Sequence, residues 1–530
     1  MKKVSIKYNP YKLETQILVD GKMLKENSTI LDETFDGSRL QDWIEVLPDL
    51  LVAELSDREF EISFHGTTLD YEDLVGVFKE ANNQDKAQFL IKEHIRAKET
   101  SDKEGQIDDI FKRIQNGPIN ELRDEEIKNA FQHAKSSDFE VCVVATMSSG
   151  KSTLINAMIG SKLMPSRQEA CTAIITYIKD VTDKNVPFQA EVYDKDGNRL
   201  ESSDILTLST MERLNSDENV SEIKIRGNIP FVTSDDISLV LIDTPGPDNA
   251  RDPQHKEKQR EFLKKSSKAL VLYIMEGTYG KDSDDDLLNR VASSMENKGK
   301  QSKDRFIFVV NKLDGRRKED GETIQTLEGV RSYLKRHGIS KPNLFPAAAL
   351  PALDLRMMMN GDIDPDTIDE TKVMMKKLNR NSDLHFETYA TLPPSVRGEI
   401  NGMLDEARHN FDGQINENPK EALIHSGVVS IEAAIRQYVQ KYAKTAKIKN
   451  IVDTFMHKLD EIGAFELTKQ ELAKNREESD KIVKQIDSIR KKTDSAEEAK
   501  KFKKVVDSSV DKVNDDSKKV IERITQKFQA

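Results

Sequence analysis

The pattern of hydrophobic and polar positions changes near residue 139, and this change separates the predicted elements into groups. From Phe139 onward, short apolar runs are separated by polar, glycine-containing turns; these runs are Val141–Ala145, Ile237–Ile242, Ala269–Met275 and Phe306–Val310. Continuous apolar runs of this length, spaced by helical stretches, are typical of strands buried on both faces of a largely parallel sheet. The middle of the chain is therefore predicted to be an α/β domain.

Residues 1–82 show a different pattern, which predicts a small α+β domain. The chain begins with strand-like alternation at Val4, Ile6 and Tyr8. A hairpin-turn signal follows at Asp20-Gly21. Helical spacing over Leu40–Leu55 and Tyr71–Ala81 flanks a second strand-like stretch. Residues 1–82 contain no group of residues typical of a catalytic site, so a docking or scaffolding role is expected.

Two further stretches are predicted to be helical. Residues 83–136 are polar, with one apolar stripe that contains Ile107, Ile110, Phe111 and Ile114. After residue 442, apolar side chains recur at steps of three and four, which is typical of paired helices. We expect a helical segment over 83–136 and a helical hairpin over 443–530, which together form a stalk or bundle flanking the α/β domain.

Composition narrows the class of protein. The chain has 530 residues, with 37% hydrophobic and 33% charged residues and a net charge of −12. No apolar run approaches the roughly 18–20 residues of a membrane span, and the first residues lack the apolar core of a secretory signal. The acidic balance argues against broad nucleic-acid binding. With only two cysteines, the sequence predicts a cytoplasmic protein in a reducing compartment.

A phosphate-binding loop follows the first predicted strand of the α/β domain. Residues 145–153, ATMSSGKST, match the Walker A pattern except for Ala145, which replaces its first glycine. We expect Lys151 to neutralise the β- and γ-phosphates and Ser152 to bind Mg²⁺. The predicted nucleotide contacts are Thr146, Met147, Ser148, Ser149, Gly150, Lys151, Ser152 and Thr153. Alone, the loop indicates a nucleoside triphosphate, and a chance glycine-lysine-serine turn remains an alternative.

A second motif, DTPG, follows the next apolar run. Asp243 lies at the predicted end of a strand, where it can reach Mg²⁺ through water. The amide of Gly246 is expected to contact the γ-phosphate. By itself this motif is also compatible with an ordinary turn.

A third motif, NKLD at residues 311–314, predicts the base. Asn311, Lys312 and Asp314 follow the run Phe306–Val310. The Asp314 carboxylate is expected to accept hydrogen bonds from guanine N1 and N2, which adenine cannot offer. The backbone amide of Ala348, at another predicted strand end, is expected near guanine O6. The order and spacing of the three motifs together predict GTP rather than ATP.

These motifs resemble the dynamin superfamily, particularly bacterial dynamin-like proteins. The resemblance rests on VATMSSGKSTLINAMIG at 144–160, on Leu163-Met164-Pro165 and on Thr172-Ala173. Residues 426–435 resemble the last helix of such a GTPase domain. The resemblance therefore implies a GTPase domain over 137–442, with an insert at about 350–425. In detail the chain resembles the LeoA-like type, which also carries an extra N-terminal domain.

The resemblance implies further site residues. Thr172 is expected in switch I, where its hydroxyl would complete a Mg²⁺ site with Ser152 and Asp243. Pro247 offers no side chain to position the attacking water. In dynamin relatives that positioning comes from dimerisation across the nucleotide face, from a P-loop side chain and in some members from a monovalent cation. Ser148 occupies that P-loop position here, so the expected catalytic residues are Lys151, Ser148, Thr172 and Gly246.

Three functional hypotheses follow. The first is a dynamin-like GTPase that binds GTP or GDP with Mg²⁺, dimerises with nucleotide and couples this to stalk movement in membrane remodelling, vesicle or secretion processes. In this hypothesis partner proteins supply the membrane contact, and the chain is peripheral to the membrane. The second is an Era-like signalling or assembly GTPase acting on RNA or a protein complex, which the acidic charge disfavours. The third is a GTPase-derived scaffold without activity, which the intact Lys151, Ser152, Thr172 and Asp243 argue against.

Overall fold

The structure is a computed structural model. It describes residues 1–24, 28–33, 38–84, 87–97, 103–116, 138–145, 149–165, 174–181, 186–232, 238–244, 269–277, 282–297, 300–301, 304–315, 321–414 and 416–443, with isolated residues between these ranges and up to Val452. The chain divides into two compact units, Met1–Ala97 with Asp138–Thr445, and Lys98–Ser137 with Ala446–Ala530.

The first unit begins with a five-stranded sheet in the order β3-β2-β1-β4-β5. Its strands are β1 (Lys2–Asn9), β2 (Glu14–Val19), β3 (Lys22–Met23), β4 (Glu59–Gly66) and β5 (Gln88–Arg96). Asp20 and Gly21 both have positive φ, 49° and 75°, as the predicted hairpin turn requires. The sheet packs on α1 (Thr29–Glu33), α2 (Leu47–Leu55) and α3 (Thr68–Asn83) around a core that contains Trp43.

Strand β5 corrects the prediction that 83–136 is helical throughout. It pairs parallel with β4, and Phe89 stacks on Phe60 with ring centroids 5.0 Å apart. Because β5 is an edge strand, most of its side chains face solvent and its period-2 apolar signal is weak. The predicted helix over Leu40–Leu55 also begins later than expected, since two short 3₁₀ turns precede α2.

The predicted α/β domain is built on a second sheet, which has nine strands within the described ranges, in the order β16-β15-β12-β6-β11-β7-β10-β8-β9. The parallel strands are β6 (Phe139–Ala145), β11 (Leu239–Asp243), β12 (Leu270–Glu276), β15 (Phe306–Asn311) and β16 (Asn343–Pro346). The four apolar runs singled out in the sequence all correspond to strands in this parallel part.

The other edge of this sheet is antiparallel in part, which the apolar runs do not indicate. It contains β7 (Ile175–Asp180), β8 (Gln189–Tyr193), β9 (Arg199–Ser203) and β10 (Glu222–Gly227). Strand β7 pairs antiparallel with β11, and β8 pairs antiparallel with both β10 and β9. Strands β8 and β10 alternate buried with more exposed side chains, since one face is solvated.

Helices cover both faces of the central sheet. In the part of the chain that the structure describes, they are α5 (Lys151–Ile159), α6 (Leu208–Ser216), α7 (Asp282–Met295), α8 (Thr323–Arg336), α9 (Ala349–Asn360), α10 (Ile368–Arg380), α11 (Pro394–His409), α12 (Pro419–His425) and α13 (Val428–Tyr438). A short hairpin of β13 (Glu296–Asn297) and β14 (Lys300–Gln301) follows α7. One face packs on α5 and α13, and the other on α7, α8 and α10.

The segment predicted as an insert, at about 350–425, contains α9 to α12. Its methionines contribute to packing: Met375 is buried in the core beneath α10, and Met357, Met358 and Met374 pack partly against the two cores.

In the second unit the described residues include helix α4 (Lys103–Gln115). Phe111 on this helix stacks on Phe131. The predicted helical hairpin over 443–530 lies almost entirely outside the described residues. Among the helices that the structure does describe, none combines the length and apolar character needed to cross a membrane.

Candidate nucleotide-binding site

The phosphate-binding loop joins the end of β6 to the start of α5. Ser149 is buried, and Gly150 adopts φ 87° at the N-cap of α5. A Cβ at residue 150 would lie 2.4 Å from Nδ2 of Asn311, so both the backbone conformation and this close approach require glycine. Lys151 and Ser152 then occupy the first turn of α5, where backbone amides favour phosphate.

The Lys151 ammonium donates a hydrogen bond to Oδ1 of Asp243. Asp243 is the last residue of β11 and is fully buried. Burial raises the pKa of its carboxyl, and the neighbouring Lys151 charge opposes this shift. The hydroxyl of Thr244 donates to the carbonyl of Val143 at 2.9 Å, which holds the end of β11 against β6.

Residues around Asp243 fit a magnesium site. Oδ2 of Asp243 is buried and has no hydrogen-bond partner, and a buried oxygen of this kind is costly unless a ligand satisfies it. The Ser152 hydroxyl adds a second oxygen donor from the start of α5. Carboxylate and hydroxyl oxygens are the ligands that Mg²⁺ prefers. The third predicted ligand, Thr172, lies outside the described residues.

Asn311 connects the base motif with the phosphate loop. Its buried side chain donates from Nδ2 to the carbonyl of Ser149 at 2.9 Å, and its Oδ1 accepts from the amide of Ala349 at 3.0 Å. Lys312 has φ 64° and pairs with Glu276 at 2.6 Å. The two polar groups of Asn311 therefore connect its own loop to the phosphate loop and to the loop after β16.

Asp314, which is predicted to bind guanine, contacts the segment predicted as an insert. Burial raises the pKa of its carboxyl, while its own backbone amide and the charges of Lys377 and Lys312 oppose the shift. Lys377, on α10, donates from Nζ to the backbone carbonyl of Asp314 at 2.6 Å. No local pattern marks Lys377 in the sequence, because it is one of several charged residues along α10.

Ala348 lies where predicted, at the loop after β16, but its amide already has a partner. It donates to the carbonyl of Ser426 at 2.9 Å. Gly427, with φ 80°, completes this turn, and a Cβ there would lie 2.1 Å from the carbonyl oxygen of Pro346. The turn between α12 and α13 therefore packs directly against the loop, and an O6 contact from Ala348 requires this bond to be shared or exchanged.

Arg356 on α9 is a further residue that the sequence did not reveal. Its guanidinium makes two hydrogen bonds, of 2.6 and 2.8 Å, to the buried carboxylate of Glu432 on α13. It also donates to the carbonyl of Ala157 near the C-terminus of α5. Arg356 thus fixes the far end of the phosphate-loop helix.

The described part of the site brings together Lys151, Ser152, Asp243 and Asn311 at the carboxyl ends of β6, β11 and β15, where open α/β sheets bind ligands. The half-buried Thr153 lies one residue further along α5. The remaining predicted contacts, Thr146, Met147, Ser148 and Gly246, are outside the described residues and stay predictions, as does Thr172.

Comparisons with known proteins agree with this site. Residues 141–313 match the family model described as Dynamin family. A protein of Caldicellulosiruptor sp. (strain Rt8B.4), described as an uncharacterized protein in the xynA 3′ region, is 29% identical over 254 residues, which cover 46% of this chain and 58% of that protein. A bacterial dynamin-like protein of Nostoc punctiforme is 37% identical over 62 residues, covering 12% of this chain and 9% of that protein.

Two similar solved structures are both described as an oligomerised bacterial dynamin pair that provides a mechanism for long-range sensing and tethering of membranes. The first has a TM-score of 0.47 and 15% identity, and covers 93% of this chain and 62% of that chain. The second has a TM-score of 0.45 and 16% identity, and covers 83% and 58%. The chain thus spans less than two thirds of the length of each of these relatives.

The family match and the motif geometry agree for the middle of the chain. Residues 141–313 match the Dynamin family, which indicates a dynamin-type GTPase domain in this part of the chain. The finer likeness to the LeoA-like type and the predicted domain limits stay predictions.

Proposed function

We propose that this chain binds GTP with Mg²⁺, hydrolyses it to GDP and phosphate, and couples hydrolysis to self-association and movement of its helical segments. The contact between Lys151 and Asp243 carries the proposal, because it joins the phosphate-binding and metal-binding motifs at one edge of the sheet. Asn311 supports the choice of guanine, since its bond to Ser149 joins the NKLD motif to the same loop.

In the proposed reaction, water attacks the γ-phosphorus and the bond to the bridging β–γ oxygen breaks, which releases GDP. Lys151 turns from Asp243 to the β- and γ-phosphates when nucleotide binds, and its charge offsets the charge that develops on them. Ser152 and Asp243 would hold a magnesium ion, which would supply further charge neutralisation. Release of Lys151 frees the Asp243 carboxylate for the metal site.

The residue after the DTPG motif is a proline, whose side chain cannot position the attacking water. Other side chains must therefore position it. We propose Ser148 and Thr172 for this role, completed by a second copy of the chain across the nucleotide face. A monovalent cation beside the phosphates is part of the same proposal. Activity is therefore expected to depend on protein concentration.

The proposed output is movement of the flanking helical segments at a membrane surface, with partner proteins that supply the lipid contact. Support comes from the division of the chain, in which Lys98–Ser137 and Ala446–Ala530 form a unit separate from the GTPase domain. The proposed location is the cytoplasm, peripheral to the membrane, and GTP, a second copy and partner proteins are the proposed partners.

The test is steady-state GTP hydrolysis over a wide range of protein concentration, with ATP as the competing substrate and with potassium exchanged for sodium. We expect specific activity to rise with concentration and to fall on the order of 10²–10³-fold in Lys151→Ala. Lys195→Ala, in an exposed turn, removes the same charge elsewhere and is expected to retain activity.

A flat, slow specific activity with tight GTP binding would refute the coupling to self-association and leave GTP binding intact. Sedimentation with anionic liposomes and with RNA separates the membrane hypothesis from an RNA-directed GTPase. Binding of RNA without liposome binding would favour the latter.

A further inference from the structure

The insert contains a buried cluster of metal-ligating side chains that the nucleotide site does not use. His385 joins the two short 3₁₀ turns that follow α10, Glu387 lies in the second of them, and His425 is the last residue of α12. Each offers one ligand atom, and these atoms all lie within 4.8 Å of one another. The three residues come from two separate parts of the insert and meet only in the fold.

The geometry within the cluster is tight. The imidazole rings of His385 and His425 are stacked, with centroids 3.6 Å apart and an interplanar angle of 3°. Nδ1 of His425 lies 2.9 Å from Oε1 of Glu387. His425 is 1% exposed and Glu387 is 4% exposed. Bulk solvent therefore does not supply hydrogen bonds to polar atoms of these side chains that lack a partner in the protein.

Three buried polar atoms in this cluster have no hydrogen-bond partner. They are Nε2 of His385, Oε2 of Glu387 and Nε2 of His425. Leaving such an atom unsatisfied destabilises the folded protein, and native proteins avoid the arrangement. Three of them within one small cluster indicate that something absent from the protein chain satisfies them.

We propose that His385, Glu387 and His425 bind a divalent transition-metal ion of the zinc type through three protein ligands. Two imidazole nitrogens and a carboxylate oxygen are a donor set typical of Zn²⁺. Nδ1 of His425 and Oε1 of Glu387, which lie 2.9 Å apart, face the ion together, and the ion replaces the proton between them. The opposite nitrogen of His425, Nε2, then carries its proton toward Oε1 of Glu421, and a carboxylate that orients a ligating histidine in this way is common in zinc sites.

The distances fit after small side-chain movements. Tetrahedral Zn²⁺ with bonds of about 2.0–2.1 Å places neighbouring ligand atoms about 3.3 Å apart. The cluster spans at most 4.8 Å, so rotation of the side chains and tilting of the stacked rings brings the three atoms together. Oε1 of Glu421 lies 3.6 Å from Nε2 of His425, on the side of the ring away from Glu387, so a water molecule is left as the fourth ligand.

The position of the ion follows from the surrounding contacts. His425 directly precedes Ser426, whose carbonyl accepts the hydrogen bond from Ala348. Phe386, which lies between His385 and Glu387 in the sequence, packs closely against Gly427. A Cβ at Gly427 would lie 2.9 Å from the Cβ of Phe386. The ion therefore ties the turn at 382–388 to the end of α12, directly behind the loop that follows β16.

The test uses the full chain without an affinity tag, stripped with a chelator and dialysed against Zn²⁺. We expect a single tightly bound Zn²⁺ per chain, an increase in Tm on zinc addition, and with Co²⁺ the visible absorption of a four-coordinate site. His385→Ala and Glu387→Gln are each expected to weaken zinc binding by about 100-fold or more and to abolish the Tm increase. His385 is half-buried, so its variant is the one expected to fold most readily.

Ser152→Ala is the matched control, because it alters the predicted magnesium site and leaves the cluster intact. It is expected to retain zinc fully. Absence of stoichiometric zinc binding in the wild-type chain would overturn the proposal, as would zinc binding that persists in folded His385→Ala and Glu387→Gln. Loss of zinc in Ser152→Ala alone would assign the ion to the nucleotide site and equally contradict the proposal.

Discussion

The side-chain amide of Asn311 donates a hydrogen bond of 2.9 Å to the backbone carbonyl of Ser149, although 162 residues separate them in the chain. The other end of the same side chain accepts from the amide of Ala349. Asn311 therefore connects three loops at the carboxyl ends of the parallel strands. The role of Asn311 is thus to position these loops, and Asp314 is the residue expected to bind the base.

Replacing Asn311 by aspartate tests this connection. The substitution keeps the shape of the side chain but sets a carboxylate oxygen against the Ser149 carbonyl. The loss of one buried hydrogen bond and the new repulsion are expected to raise the dissociation constant for GTP about 10- to 30-fold, or roughly 1.4–2 kcal/mol. Titration with a fluorescent GTP analogue measures it. The exposed Asn360→Asp variant is the control, and equal affinity in both variants would contradict the role of Asn311.

Lys377 provides a test of whether the insert supports base recognition. Removing its ammonium in Lys377→Ala frees the Asp314 carbonyl, and we expect GTP affinity to fall about two- to fivefold, as for an exposed charged contact. The adjacent Lys376 pairs with Glu417 instead, which makes Lys376→Ala a control with the same charge change. Calorimetric GTP titrations that fail to distinguish the two variants would show that this contact does not affect the site.

Gly427 is predicted to be intolerant of any side chain. A Cβ would lie 2.1 Å from the Pro346 carbonyl, and the backbone has φ 80°. Gly427→Ala is therefore expected to lower the free energy of unfolding by roughly 2–4 kcal/mol, measured by urea denaturation.

Gly398→Ala is the matched comparison, since its Cβ meets nothing within 4 Å on an exposed position of α11. Alanine in a helix interior favours folding, so this variant is expected to be stabilised by up to about 1 kcal/mol. Similar losses of stability in both variants would be inconsistent with the packing of Gly427 against Pro346.

The ion pair between Arg356 and Glu432 is expected to be worth far more than a surface pair. Arg356→Met leaves the Glu432 carboxylate buried without its partner, which costs roughly 3–5 kcal/mol of unfolding free energy. Arg290→Met breaks the exposed pair with Asp286, for which less than about 1 kcal/mol is expected. Thermal unfolding of the two variants should differ clearly, and equal Tm values would refute this assignment for Arg356.

Sequence patterns predict the parallel part of the central sheet because its strands are buried on both faces. Such strands, for example Phe306–Asn311, need apolar side chains at every position. Strands with one solvated face, such as Glu222–Gly227, show only a short alternation of apolar and polar residues. The sequence pattern therefore does not predict them. Gln88–Arg96 was assigned to a helical segment for the same reason, since Phe89 is its only fully buried side chain.

In the nucleotide site, too, short sequence motifs can be predicted, whereas contacts between residues far apart in the chain cannot. Gly150, Lys151 and Asp243 were predicted because their roles depend on residues adjacent in sequence. The contacts between Lys377 and Asp314, and between Ala348 and Ser426, join positions 63 and 78 residues apart in the numbering. No spacing rule marks such pairs in a single sequence, so only the folded chain reveals them.

The most direct test of the central claim is the nucleotide preference of the wild-type chain and of Asp314→Asn, measured as dissociation constants for GTP, ATP and xanthosine triphosphate. The wild-type chain is predicted to prefer GTP over ATP by several powers of ten. In Asp314→Asn the side-chain amide can donate to the 2-oxo group of xanthine, so GTP affinity should fall and xanthosine triphosphate should bind best. Equal wild-type affinity for GTP and ATP, or unchanged preference in the variant, would contradict a guanine site built on Asp314.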